Sequence, residues 1–563
     1  MATKHSSALD RIRTLKGWGV PRDRVMVPAK AIASPTASLA SLVGVIRRRP
    51  AGLLLALAVW LPSPAPAFVA LMAGQQARPL NGTFNTVPVL HSNQPEEVEG
   101  PGILINTAPG VSYAAENGMA LNNAEYTFNG EFGIHIHHKY IPPMQDRWSG
   151  SRRSELTLAL ILINPGYRPV HLRFESGAVR NSFQAPYLAN NLMGVKPLGV
   201  RPWNTGPGDA TATQMLRGKL DQNLIDEITI PERSRVVLFQ TQLPSLGIAN
   251  ALLKGRSDGP FQMAVVAARE PTSDYDVVAV LDQGRLAPGR VYLNRIQDIN
   301  NRQVFSRVGG VAVGDSYQAT LEYDLDRQGA LHVPLTSTHR NDFGTRDVQV
   351  NPLVTRMLDS SLDNVGTYGV RYEVTLNLKG SGPYELVMSH PVAYGRKQPF
   401  TAFRGSLQIQ TETGVEDVHV GLRSGESLLL TNLNLKPGIN NSVKVTLVYP
   451  ADATPGHLLS VVPAGQLAGL RERQRQQELA QAMAKRKAKS FKTTPQAPPD
   501  PADPADPAND PLGSLLMQPV GLTSLPPLPL PTLDAGSVTQ TLVERYQQAI
   551  DSQQQSMQGQ LGR

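Results

Sequence analysis

Thr157-Leu158-Ala159-Leu160-Ile161-Leu162-Ile163, then Asn164-Pro165-Gly166-Tyr167, then Val170-His171-Leu172-Arg173-Phe174-Glu175, is the stretch on which the reading of the fold turns. The first seven residues are apolar without a break and suit a strand buried on both faces. In the next four, proline fixes φ and glycine tolerates positive φ, so they read as a tight turn. The last six alternate with period two, as a half-buried strand does. Together they predict a β-hairpin.

Similar units flank it. Ile228-Thr229-Ile230 leads through Pro231-Glu232-Arg233-Ser234 into Val236-Val237-Leu238-Phe239, and 261–267 is a further apolar strand. Tyr372-Glu373-Val374-Thr375-Leu376-Asn377-Leu378 alternates, turns at Lys379-Gly380-Ser381-Gly382 and returns through Tyr384-Glu385-Leu386-Val387-Met388. Ser427-Leu428-Leu429-Leu430 and 443–449 follow. Helical periodicity is nearly absent from 79 to 464, with short helices expected only at 209–218 and 351–358. Many short strands at regular turn spacing predict a mainly β chain, and the length asks for two antiparallel β-sandwich domains in tandem, 78–285 and 286–464.

The ends have a different character. Of the net charge of +8, residues 1–50 supply +8, 466–492 supply +6 and 493–563 supply −5, which leaves 51–465 at −1. The body therefore gives no electrostatic support for nucleic-acid binding. Arg47-Arg48-Arg49 precede an eleven-residue apolar run from Ala51 to Leu61, and Pro62-Ser63-Pro64-Ala65-Pro66-Ala67 follows. A charged region, a short apolar region and an Ala-x-Ala site make 1–67 a basic leader with a secretory signal. The run is short of the ~20 residues a spanning helix needs. Cleavage after about residue 67 is expected, with a proline-interrupted anchor as the alternative and Met26 as an alternative start. The implied location is the periplasm or cell envelope. The chain has no cysteine, so disulfides, thiolate nucleophiles and cysteine-held metals are excluded. A large core can replace disulfides outside the cytoplasm.

Residues 465–492 lack proline and predict a basic helix. Residues 493–535 are proline-rich, with repeated Pro-Ala-Asp, and predict an extended linker. Val538, Leu542, Tyr546 and Ile550 recur every four residues in a terminal amphipathic helix, 536–563. The basic helix suits an acidic lipid surface or an anionic wall, and the terminal helix suits another envelope protein or a second copy.

Several phrases recur as a set: Arg78-Pro79-Leu80-Asn81-Gly82, Val87-Pro88-Val89-Leu90-His91-Ser92-Asn93, Gly133-Ile134-His135-Ile136-His137-His138, Asn164-Pro165-Gly166, Arg307-Val308-Gly309-Gly310-Val311-Ala312, Asn364-Val365-Gly366-Thr367-Tyr368-Gly369-Val370 and Tyr449-Pro450-Ala451-Asp452-Ala453-Thr454-Pro455. In this order, over about 78–464, the chain resembles a cyanobacterial family of exported proteins known only as a domain of unknown function. The resemblance implies an envelope location and carries no catalytic residues.

Candidate chemistry is sparse. His135 and His137 share one face of a strand, with Glu131 further along that face, and a third ligand from another strand would make a Zn²⁺ or Cu²⁺ site. The competing reading is a strand with histidines on its wet face. Asp315, Asp324, Asp326, Asp359 and Asp363 fit no calcium loop and read as turn residues. No Gly-x-Ser-x-Gly, His-Glu-x-x-His or phosphate loop occurs, Gly405-Ser406 lacks the flanking pattern, and no cofactor is expected. Glu373 and Glu385 would face one another across their hairpin. Trp148, Tyr167, Tyr187 and Trp203 lie in or near loops and are the candidate sugar-stacking residues. The favoured reading is a non-enzymatic binding or structural protein. A carbohydrate-active or wall-modifying enzyme, which would need two carboxylates about 5–10 Å apart across a cleft, and a metal-binding envelope protein are the alternatives.

Overall fold

The computed structural model describes residues 77–143, 155–187, 193–199, 205–304, 307–391 and 400–491. The leader 1–67, Trp148, Trp203, the proline-rich 493–535 and the terminal 536–563 lie outside them.

The chain is mainly β. Among the described residues the strands form one eight-stranded sheet, one seven-stranded sheet, two four-stranded sheets and a small two-stranded one. One hydrophobic cluster is filled from the eight-stranded sheet (Phe132, Ile134, Leu172, Phe174, Leu253) and a four-stranded sheet (Leu158, Leu160, Leu162, Val265). A second is filled from the seven-stranded sheet (Tyr372, Val374, Leu407, Val445) and the other four-stranded sheet (Val333, Leu386, Leu433, Val461).

The expected hairpins are not hairpins. Leu156–Asn164 pairs with Ser234–Leu243 and Gln262–Arg269 in a four-stranded sheet. Val170–Asn181 pairs with Glu227–Ile230 and Ile248–Ser257 in the eight-stranded one. The turn at 164–167 thus carries the chain from one sheet to the other, with the Asn164 side-chain amide bonding the carbonyls of Arg168, Ile230 and Pro231. The physical reason is that Leu156–Asn164 is a central strand, so both its edges are taken. The same crossing separates Arg371–Lys379 from Gly382–Ser389, which pair in different sheets. Glu373 and Glu385 therefore do not face each other: Glu373 accepts from Lys444 and Arg371 at 2.8 Å each, and Glu385 accepts from the amide of Gly465.

Two further expectations need correction. The sheets are mixed rather than purely antiparallel, since Ser316–Asp324 runs parallel to Arg371–Lys379 and Pro88–Ser92 parallel to Glu131–Tyr140. Residues 351–358 hold a strand, Leu353–Arg356, rather than a helix. The helix expected at 209–218 forms as Pro207–Leu216 and the basic helix as Gln466–Phe491.

Strands also cross between the two groups of sheets. Thr83–Phe84 and Gly194–Pro197 edge the seven-stranded sheet, while Gly309–Val313 and Leu353–Arg356 extend the eight-stranded one. Helix Pro207–Leu216 wedges between the large sheets: Ala212 and Leu216 pack on Leu252 of one and Val448 of the other. A side chain at Gly208 would sit 2.7 Å from the Asp452 carboxylate, so glycine permits that close seat. Among the described residues no helix is long and apolar enough to cross a membrane.

Candidate functional site

Two polar regions are built on the eight-stranded sheet. The first is a groove of about 1660 Å³ at its open edge. There the edge strand Glu227–Ile230 faces the edge strand of the four-stranded sheet, Ser234–Leu243, and helix Asp274–Asp282. The alternation of Val170–Asn181 turns Leu172 and Phe174 into the core and leaves His171, Arg173 and Glu175 exposed. Leu220, Ile225, Ile228, Val236 and Val278 are only partly covered and form an apolar floor continuous with the core.

Around that floor stand charges and one aromatic. Tyr275 is 80% exposed on the first turn of its helix. That helix starts at a capping box, with Ser273 accepting from the Asp276 amide and Asp276 accepting from that of Ser273. Hydrogen bonds from the Thr272 hydroxyl and amide, joined by those of Ser273, hold the Asp276 carboxyl below the usual carboxylate range. Asp258 accepts from the His171 amide at 2.7 Å and Asp274 from Gln240 at 2.6 Å. The edge strand adds backbone groups. Phe174 N–H donates to the Asp226 carbonyl, and pairs two apart share that pattern, so Glu227 and Thr229 point their own N–H and C=O outward.

The second region is a seam of histidines in the middle of the same sheet. His135 and His137 do share a face, but that face is not wet: they are 2% and 5% exposed beneath helix Pro207–Leu216 and the segment 364–370. His91 lies on the neighbouring parallel strand in direct register with His135, their Nδ1 atoms 3.2 Å apart. Burial pushes His91 down to about 3 and His135 well below the usual imidazole range, so both rings are neutral and one Nδ1–H donates to the other. His138, on the opposite face, donates from Nδ1 to the Pro95 carbonyl and accepts at Nε2 from Ser92, both at 2.7 Å. Burial pushes it down to about 3 against the pull of that carbonyl. His137 Nδ1 lies 2.9 Å from the Asn250 side chain, which reaches Thr211 of the wedge helix at 2.6 Å.

Two nitrogens 3.2 Å apart also match two ligands of one tetrahedral zinc, which stand about 3.3 Å apart when each bond is 2.0–2.1 Å. Among the described residues, however, no three His, Cys, Asp or Glu side chains group as a metal shell. His137 and Glu131 do not join the pair: Glu131 is held by Arg256 at 2.7 Å.

Of the candidate aromatics, the described Tyr167 and Tyr187 sit in separate surroundings. Tyr167 is 74% exposed at its turn and accepts from Arg233 at 3.0 Å. Tyr187 is covered by the Arg404 guanidinium, 3.6 Å from its ring centroid. Neither lines the groove. The groove residues carried no motif in the sequence. The available signal was the odd-numbered polar set His171, Arg173 and Glu175, together with the Ser273-x-x-Asp276 box that announces the helix bearing Tyr275.

A family model described as protein of unknown function (DUF3370) matches residues 75–463. No curated protein matches the chain. Among solved structures, a xanthan lyase from Paenibacillus is 11% identical over 66% of this chain, with a TM-score of 0.14, and the chain spans 27% of that protein. The tandem CBM51 modules of a family 98 glycoside hydrolase from Streptococcus pneumoniae are 10% identical over 64% of this chain and 92% of theirs, TM-score 0.14. A salicylate 1,2-dioxygenase from Pseudaminobacter salicylatoxidans is 11% identical over 57% of this chain and 75% of its own, TM-score 0.08. Likenesses at such scores carry no argument.

Proposed function

The chain belongs to the DUF3370 family of proteins of unknown function, and from that premise we propose that it is an exported, non-enzymatic binding protein of the periplasm or envelope whose groove at the edge of the eight-stranded sheet receives a polysaccharide. On this reading the molecule is two sheet-on-sheet units in tandem, tied together by the crossing strands and the wedge helix. Residues 1–67 deliver it outside the cytoplasm.

The observation that supports the reading is the composition of the groove. A sugar ring has apolar faces and a hydroxyl rim. The groove offers an apolar floor, an exposed tyrosine and, around them, carboxylates and outward backbone groups that accept and donate hydrogen bonds. Pockets that fix orientation with a few polar groups over an apolar floor are the usual ligand sites.

The test is titration of the purified full-length chain with soluble polysaccharides. Wild type is expected to bind with no release of reducing ends, and Tyr275→Ala to bind at least about tenfold more weakly, in line with an aromatic anchor. Unchanged affinity in Tyr275→Ala would place the ligand elsewhere, and release of reducing ends would make the protein an enzyme. Export is checked by fusing residues 1–80 to a reporter that is active only outside the cytoplasm.

A further inference from the structure

We infer that the groove selects uncharged sugar chains and turns away anionic ones such as polyuronates. The inference rests on the glycan reading above and adds the class of sugar.

It follows from which charges in the groove are already answered. Three guanidiniums line it, and each faces a carboxylate of the protein: Arg173 lies 4.0 Å from Glu227, Arg235 pairs with Asp282, and Arg256 holds Glu131 at 2.7 Å. Arg235 and Arg256 each spend one N–H on a carboxylate and Arg173 has a carboxylate nearby, so much of the positive charge that would draw a uronate is offset within the protein. Exposed pairs such as Arg173 with Glu227 are weak, so the net charge matters as well. The lining holds these three arginines against Glu175, Asp226, Glu227, Asp258 and Asp274, a balance of −2 between arginines and carboxylates.

The carboxylates divide differently. Glu227, Asp258 and Asp274 have protein partners. Glu175 and Asp226 are exposed in the groove, and among the described residues neither carboxylate has a side-chain partner. A free carboxylate accepts hydroxyl hydrogens well and repels another carboxylate. The outward N–H and C=O groups of Glu227 and Thr229 add neutral donors and acceptors along the same wall. The floor of Ile228, Val236 and Val278 favours the uncharged ring faces.

The experiment uses the full chain and two probe classes of matched length, neutral hexaoses (cello-, malto- and mannohexaose) and hexagalacturonate, at low and physiological salt. A neutral hexaose is expected to bind, with hexagalacturonate at least about tenfold weaker at low salt and the gap narrowing as salt screens the field. The double variant Glu175→Gln, Asp226→Asn is expected to weaken neutral binding and strengthen uronate binding, so that the ratio approaches one. If hexagalacturonate binds as tightly as the neutral probes in wild type, the selectivity is wrong while the glycan reading stands. If uronates alone bind, the field has been read with the wrong sign. If neither class binds, the glycan reading falls and this inference with it.

Discussion

The groove and the histidine seam are carved from the same sheet, a few strands apart, and their polar side chains meet opposite fates. On Val170–Asn181, next to the edge strand, His171, Arg173 and Glu175 face away from the core into solvent. On Glu131–Tyr140, in the middle, His135 and His137 also face away from the core, yet a helix and a loop from elsewhere in the chain lie over them. Burial leaves the seam no tolerance for an unanswered charge, so His91, His135 and His138 are held neutral, each bonded to a neighbour. Exposure lets the groove keep charges whose partners are still to come. One region spends its polar groups on contacts within the molecule, and the other leaves them facing solvent.

This contrast is broken most severely where a charge is buried outright. Arg290 and Asp359 are both 0% exposed, bonded at 3.0–3.1 Å, with Gln94 also on Asp359. The pair joins the loop after helix Asp274–Asp282 to the segment that follows Leu353–Arg356. Arg290→Met leaves Asp359 buried without its counter-charge and is expected to cost about 3–5 kcal/mol. Urea unfolding checks it. A loss below about 1 kcal/mol would mean that the site opens to water and is not sealed.

Acid should act on the seam next. His91 and His138 titrate at about 3 when folded and near 6.5 when unfolded, so the unfolded chain binds more protons between those values. Their contribution to stability is complete above pH 6.5 and declines as pH falls toward 3, by about 1.4 kcal/mol per pH unit for each histidine. Between pH 6.5 and 5 that is about 2 kcal/mol per ring. The urea midpoint followed from pH 8 to 4 measures it, and His91→Asn should remove one proton's worth of slope. A flat profile would refute neutral, sealed rings.

The wedge helix should respond more mildly. Asp209 is fully buried, 3.4 Å from His419 and 3.3 Å from Thr213, whose hydroxyl meets Ser406 at 2.7 Å. Asp209→Asn keeps the shape but removes a negative charge from the first helical turn, at an expected cost of about 1–2 kcal/mol. A stabilised variant would show that the carboxylate is there at the expense of the fold.

The sequence made the strands legible and their partners not. Period two in Val170-His171-Leu172-Arg173-Phe174-Glu175 said which side chains share a face, and the buried set Leu172 and Phe174 agrees. The unbroken apolar run at 157–163 told of a strand buried on both faces. It did not tell that the turn after it leads into another sheet, because a tight turn suits a hairpin and a crossing equally. His135 and His137 were visible as a pair on one face. Their cover was not, since it comes from helix Pro207–Leu216 and residues 364–370, far along the chain. The groove was least legible of all: its walls come from four separate segments, and no local pattern records that two edge strands stand apart.

The smallest effect on stability is expected in the groove itself, and it is the one that sharpens the comparison most. Glu175 is exposed and has no side-chain partner among the described residues, so Glu175→Gln should change unfolding free energy by no more than about 0.5 kcal/mol in either direction. Tyr275 is 80% exposed, and Tyr275→Ala should likewise leave the urea midpoint nearly unmoved. The seam variants should do the reverse, lowering stability while a protein still folded at pH 8 binds glycan as wild type does. If Glu175→Gln or Tyr275→Ala destabilised the chain as His91→Asn does, the groove would be part of the scaffold and its open charges would need another explanation. A binding loss without a stability loss is the signature of side chains held for something outside the fold.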